Sequence, residues 1–174
     1  MGLPLAAAVM AAVLSLHAQA LAPAGAGQQV HANLNQLMRG TLYPAANVVF
    51  SAQTDDPGEA RPLPGQDPSM ATDPLHSTFG GWVAVENAAL ALAESANLLS
   101  IAGRTCANGV DVPIADPAWA AFVRQLREAS MQAYRAAQSR DQARMIDISE
   151  PLSAACAGCH RKWRDRRPLD RRCR

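Results

Sequence analysis

The chain is 174 residues long, 49% hydrophobic and 18% charged, with a formal net charge of +1. Such a composition excludes a disordered chain and leaves one globular domain, long enough to bury a core and too short for two. Aromatic residues make up only 5% and alanine is abundant, which favours helix over sheet.

The first twenty residues carry no charged side chain, and the apolar run from Leu3 to Leu16 is short for a bilayer span. Ala18, Gln19 and Ala20 offer the small-x-small site of a signal peptidase, so residues 1–20 read as a signal peptide and 21–27 as a flexible N-terminus. A positive segment before the apolar run is missing, which keeps an uncleaved anchor as the alternative. After cleavage no membrane association is expected.

From Gln28 to about Ala52, Val30, Leu34, Leu37, Met38, Leu42, Ala45, Val48 and Val49 recur at steps of three and four, the stripe of an amphipathic helix. Pro44 lies inside it and cannot donate to the carbonyl four residues back, so a kink is expected near Gly40 to Tyr43. Thr54 to Thr78 then brings Pro57, Pro62, Pro64, Pro68 and Pro74 with Gly58 and Gly65, a composition that does not sustain regular structure. This stretch reads as a long crossover loop that wraps the helices or covers one edge of a bound group.

A second helix is expected from Phe79 to Ile101, with Trp82, Val85, Ala89, Leu92, Ala96 and Leu99 on one side and Gly103 beyond its end. Asp116 followed by Pro117 reads as the cap and first position of a third helix reaching Ser139, whose buried face holds Trp119, Phe122, Val123, Leu126, Ser130 and Ala133. A fourth begins near Asp141, sets Met145, Ser149, Leu152, Cys156, His160 and Trp163 along one side and closes by Pro168. Pro151 either kinks it or follows a fresh cap at Ser149. Four helices of roughly 20 to 25 residues with one long connection give the expected fold, an all-α four-helix bundle over 28–167 with a basic tail at 168–174.

Cys156, Ala157, Gly158, Cys159 and His160 form an uninterrupted Cys-x-x-Cys-His, the attachment site of a c-type haem. On a helix the two sulfurs lie on one face, where each can form a thioether to a former haem vinyl group, and His160 then projects under the iron as the proximal ligand. The zinc or thioredoxin-like alternative lacks a second ligand pair, because Cys106 and Cys173 have no spaced histidine beside them. One covalent haem c, bound inside near the C-terminal helix, is the expected cofactor. Thioether haems are attached outside the cytoplasm, which agrees with an export signal and a periplasmic location.

On these residues the chain resembles the class II cytochromes c: the cytochrome c-prime group and its low-spin, methionine-ligated relatives. In that family the pentapeptide lies on the last helix and is commonly followed three residues later by an aromatic and an Arg, here Trp163 and Arg164. The resemblance implies a single-haem electron carrier that performs no catalysis. It also points to a sixth iron ligand on the first helix, within Gln36, Leu37, Met38 and Arg39, and Met38 is that candidate. The stripe supports it separately, since Leu34, Met38 and Leu42 are one turn apart and would aim the thioether at the core. A methionine that only packs would leave a five-coordinate iron open to nitric oxide or carbon monoxide. His31, seven residues before Met38, is the rival ligand or distal base, the latter being what a peroxidase would need. His76, in the loop, carries no expected role beyond a propionate contact.

Arg39, Arg161 and Arg164 are candidates for the haem propionates, because a guanidinium offers a planar fork to a carboxylate. Trp163 is expected against the porphyrin edge, where its burial excludes water. Residues 161–174 hold eight Arg and Lys against two Asp, a charge cluster able to steer an acidic redox partner protein or simply to stay solvated. Nucleic acid is not an expected partner, since no aromatic residue follows Trp163 to stack on bases. A homodimer, common in the family, would need an exposed apolar stripe on the first two helices, which their alanine-rich faces leave open. Whether Cys106 and Cys173 pair is a question of proximity that spacing does not answer.

Overall fold

The structure, a computed structural model, describes residues 28–165 and 172–173. The expected signal peptide, the N-terminal 21–27 segment and most of the basic tail lie outside the described residues.

Among them the chain is all-α, with no strand beyond one isolated bridge between Thr105 and Asp111. The first helix comprises α1 (Leu34–Leu37), a π-helical turn (Met38–Leu42) and α2 (Tyr43–Ser51). It begins later than the apolar stripe suggests because Asn33 caps it. The Asn33 side chain accepts from the Gln36 N–H at 2.9 Å while Gln36 Oε1 accepts from the Asn33 N–H at 3.0 Å, a reciprocal capping box.

The irregularity expected from Pro44 takes the form of the π turn. The Tyr43 N–H donates to the Met38 carbonyl five residues back, and this widened register carries the helix past a proline that has no N–H to give. Leu37 and Leu42 thereby become successive buried positions, and Met38 is left half-buried on their flank.

Three further helices follow: α3 (Trp82–Leu98), α4 (Pro117–Gln138) and α5 (Gln142–Cys159), the last running on through a π-helical turn (His160–Arg164). Asp116 caps α4 as expected, accepting from the Ala118 N–H at 2.8 Å. Asp141 caps α5 through the Arg144 N–H at 2.9 Å. Pro151 sits inside α5 without ending it, and Ser149 is no cap, since its hydroxyl donates to the Met145 carbonyl at 2.8 Å. The α4–α5 connection is held by Asp141 N–H to Ala136 O and Arg140 N–H to Ala137 O, both 3.0 Å, with Arg140 in the left-handed region at φ 54° where glycine is usual.

The long connection does not cross the fold. A Cβ on Gly81 would lie 2.8 Å from the Pro57 carbonyl oxygen, so its two ends meet and it joins antiparallel neighbours. It is also less irregular than its proline content suggests. Asp67 and Asp73 cap two short 3₁₀ turns (Pro68–Met70 and Pro74–His76), and Leu75 is buried against α3.

Direct packing runs α2 to α3 to α4 to α5. Alanines at 84, 88, 89, 93 and 96 bring α3 close to its neighbours, and Leu92, at 1% exposure, fills the centre. Burying such a leucine contributes about 1.5–3 kcal/mol. Val85, Val123, Leu126, Met145 and Leu152 complete the same core.

Candidate functional site

Between α1–α2 and α5, where the helices are not in direct register, lies a cavity of about 530 Å³. Leu34, Leu42 and Phe50 form one wall, and Leu92, Leu99, Trp119, Phe122, Val123 and Leu126 form the floor. The opposite wall is Ala155, Cys156, Cys159, His160 and Trp163. Its volume falls in the range of small-molecule and cofactor sites, roughly 300–1,000 Å³, and its lining is apolar around a few sulfur and nitrogen donors.

Met38, Cys156, Cys159 and His160 all face this one space, although Met38 and the pentapeptide lie near opposite ends of the described chain. Each candidate axial ligand opens a π turn: Met38 on the first helix, and His160 on the last, where the Asp165 N–H donates to the His160 carbonyl at 2.8 Å. Single π turns of this kind recur at functional sites.

Burial raises both thiols. Cys156 is pushed up by desolvation, and Cys159 reaches about 11 through desolvation and the neighbouring Cys156, against a smaller opposing pull from Arg164. Both are therefore neutral thiols at pH 7. Redox-exchange cysteines are activated by a lowered pKa, and neither of these is. Among the described residues no three or more His, Cys, Asp and Glu side chains gather to hold a bare metal ion. Burial, reinforced by Arg164, lowers the His160 imidazole and keeps it neutral, the state in which its nitrogen can ligate.

Trp163 is buried against two aromatic side chains of α4. Its ring meets Trp119 edge-on at 5.0 Å and Phe122 at 5.9 Å. The Trp119 Nε1–H donates to the Leu99 carbonyl at 3.1 Å, which fixes the floor of the cavity. Above Trp163, Lys162 Nζ lies 4.9 Å from the ring centroid and pairs with Asp116 at 3.0 Å, tying the π turn to the cap of α4. That lysine is the first cause holding the Asp116 carboxyl below the ordinary range.

The three candidate arginines separate. Arg39 and Arg164 line the cavity, whereas Arg161 is exposed and does not. Arg164 is engaged with Asp165 through a two-point contact at 2.8 and 3.1 Å. His31 is exposed and outside the lining, and His76 places its Nδ1 2.6 Å from the Arg61 carbonyl oxygen in the long loop. No residue of that loop lines the cavity, so the expected cover over a bound group is not formed there.

Cys106 and Cys173 are bridged, with Cα atoms 5.1 Å apart, and Cys173 joins the cavity wall. The Cys173 N–H donates to the Trp163 carbonyl at 3.1 Å, folding the tail back beside the π turn. Besides Cys173, the lining includes Phe50 and Tyr43 on the first helix, and Trp119 and Phe122, which the α4 stripe places in the core. Their signal was present in the helical stripe, but a stripe does not distinguish a residue that lines a cavity from one that fills a core. Compared with protein families, curated proteins and solved structures, the chain matches none.

Proposed function

We propose that the chain is a single-haem c-type cytochrome with a four-helix-bundle fold, resembling the class II cytochromes c and working as an exported, periplasmic electron carrier rather than an enzyme. One observation carries this reading: Cys156, Cys159, His160 and Met38, brought from the two ends of the described chain, all line one largely apolar cavity. A bound haem supplies one-electron chemistry at its iron, and the protein supplies binding, orientation and electrostatics.

Cys156 and Cys159 would hold the haem covalently, each thiol adding across one vinyl group with sulfur to one carbon and hydrogen to the other, so that no leaving group or oxidant is needed. His160 and Met38 would be its iron ligands, the imidazole through a ring nitrogen and the thioether through a soft sulfur that favours the ferrous state and raises the potential. Trp163, Trp119 and Phe122 would keep water from the haem beside His160, which raises the potential further. Arg39 and Arg164 stand at the cavity where propionates would need partners, Arg164 by exchanging Asp165 for one of them. The basic run that opens with the exposed Arg161 at the end of the haem helix favours an acidic redox partner protein.

The test is the visible spectrum and mass of protein made with a haem-attachment apparatus. A mass increased by one haem, low-spin bands and a weak sulfur-to-iron transition at the red edge that Met38→Ala abolishes support the carrier. A high-spin spectrum that responds at once to carbon monoxide reassigns the protein to small-gas binding. A colourless product of bare polypeptide mass ends both.

A further inference from the structure

Gly158 lies between the two motif cysteines, in the last turn of α5 where the helix runs on into the π turn, and inside a helix glycine is the second-worst residue for stability. The reason for it is contact. A Cβ at this position would sit 2.2 Å from Phe122 Cε1, 2.8 Å from Cζ and 3.1 Å from Cδ1. The Phe122 ring rests on the bare Cα of α5, and Trp163 meets it edge-on at 5.9 Å. Its own helix lies behind it. The remaining side is the cavity that Phe122 lines together with Met38 and His160.

We propose that Gly158 is a positioning residue for the haem: by leaving room for Phe122 against α5, it keeps that ring out of the volume between Met38 and His160. The inference rests on the haem reading above but concerns a residue that does not touch iron, thiols or propionates. It predicts opposite signs in two states of one variant. In full-length protein without haem, Gly158→Ala gains helix propensity and the displaced ring turns into empty space, so helicity and melting temperature hold or rise. With haem attached, the ring has nowhere to go.

The experiment compares wild type, Gly158→Ala, Phe122→Val and the double variant, each made with and without haem attachment. The readouts are helicity and melting temperature for the haem-free proteins, where a fall in Gly158→Ala overturns the proposal, and covalent haem by mass, visible spectrum and Soret circular dichroism for the loaded ones. Expected for Gly158→Ala is attached haem with an altered spin state and a loss of the red-edge band, or of the wild-type Soret dichroism where no such band exists. The double variant, lacking the ring atoms that clash, regains the spin state and red-edge band of Phe122→Val alone, so that Gly158→Ala has no further effect once the ring is gone. If Gly158→Ala accumulates poorly only in the haem-loaded form, recovery in the double variant supports the proposal equally. A haem-loaded Gly158→Ala indistinguishable from wild type overturns it, as does a defect that Phe122→Val fails to relieve. A wild type that takes no haem is a different failure, that of the functional reading.

Discussion

The two ends of the molecule are held by different kinds of bond. At the cavity end, Arg104, 5% exposed, donates to the Leu98 carbonyl closing α3 and to the Ala32 carbonyl before α1. Beside it the Leu34 N–H donates to the Thr105 carbonyl at 2.8 Å, Asn108 holds the Arg172 carbonyl at 2.6 Å, Cys106 is bridged to Cys173, and Lys162 pairs with Asp116. At the far end most side-chain hydrogen bonds are local. Asp56, Asp67 and Asp73 each cap their own turn two residues on, and Gln142 Nε2 reaches from the start of α5 to the Ala52 carbonyl beyond α2 at 3.3 Å. The contrast follows from packing. Helices that touch need few cross-links, whereas helices parted by a cavity forfeit those dispersion contacts and must be held by something else.

The largest test of that contrast is to cut the covalent tie. Cys173→Ser opens a loop with a sequence separation of 67, and the chain-entropy relation gives a loss of about 4 kcal/mol. Denaturant melts of the variant, and of reduced wild type, should shift together. Next is Arg104→Ala, which strips charged donors from two part-buried carbonyls and should cost about 1.5–3 kcal/mol. Amide exchange would locate the damage, with Leu34 losing protection before residues of the far end.

A smaller, pH-dependent effect separates the ends without touching the core. Because the folded Asp116 carboxyl is held low, its contribution is present above the unfolded value near 3.9 and vanishes as pH falls through the folded one. Lys162→Met removes the first cause of that depression, so acid unfolding should begin at a higher pH than in wild type. The smallest change, at the far end, runs the other way: Arg140→Gly relieves a left-handed residue and should stabilise by about 0.5–1 kcal/mol, read as a small rise in melting temperature.

Much of the helical framework was legible because its signals are local. Asp116 with Pro117, Asp141, and the stripes on α3 and α4 depend on neighbours within a turn or two. The pentapeptide was legible for the same reason. The start of the first helix was legible too, in Asn33 and Gln36, but the apolar stripe extending back to Val30 obscured it. What the sequence could not carry was proximity in space. The Cys106–Cys173 bridge, the burial of Arg104 in what reads as a polar loop, the return of the long loop to its own origin, and the outward placement of Arg161 each depend on how helices pair. Pro44 announced an irregularity, but whether a helix answers a missing N–H by kinking or by widening one turn is decided by what its flanks must bury.

The bridge also changes the topology of the chain. Everything from Cys106 to Cys173, including α4, α5 and the pentapeptide, forms one covalent ring. A protease that nicks this ring once releases no fragment, and under non-reducing electrophoresis the nicked molecule should keep its mass, dividing in two only when a reductant is added.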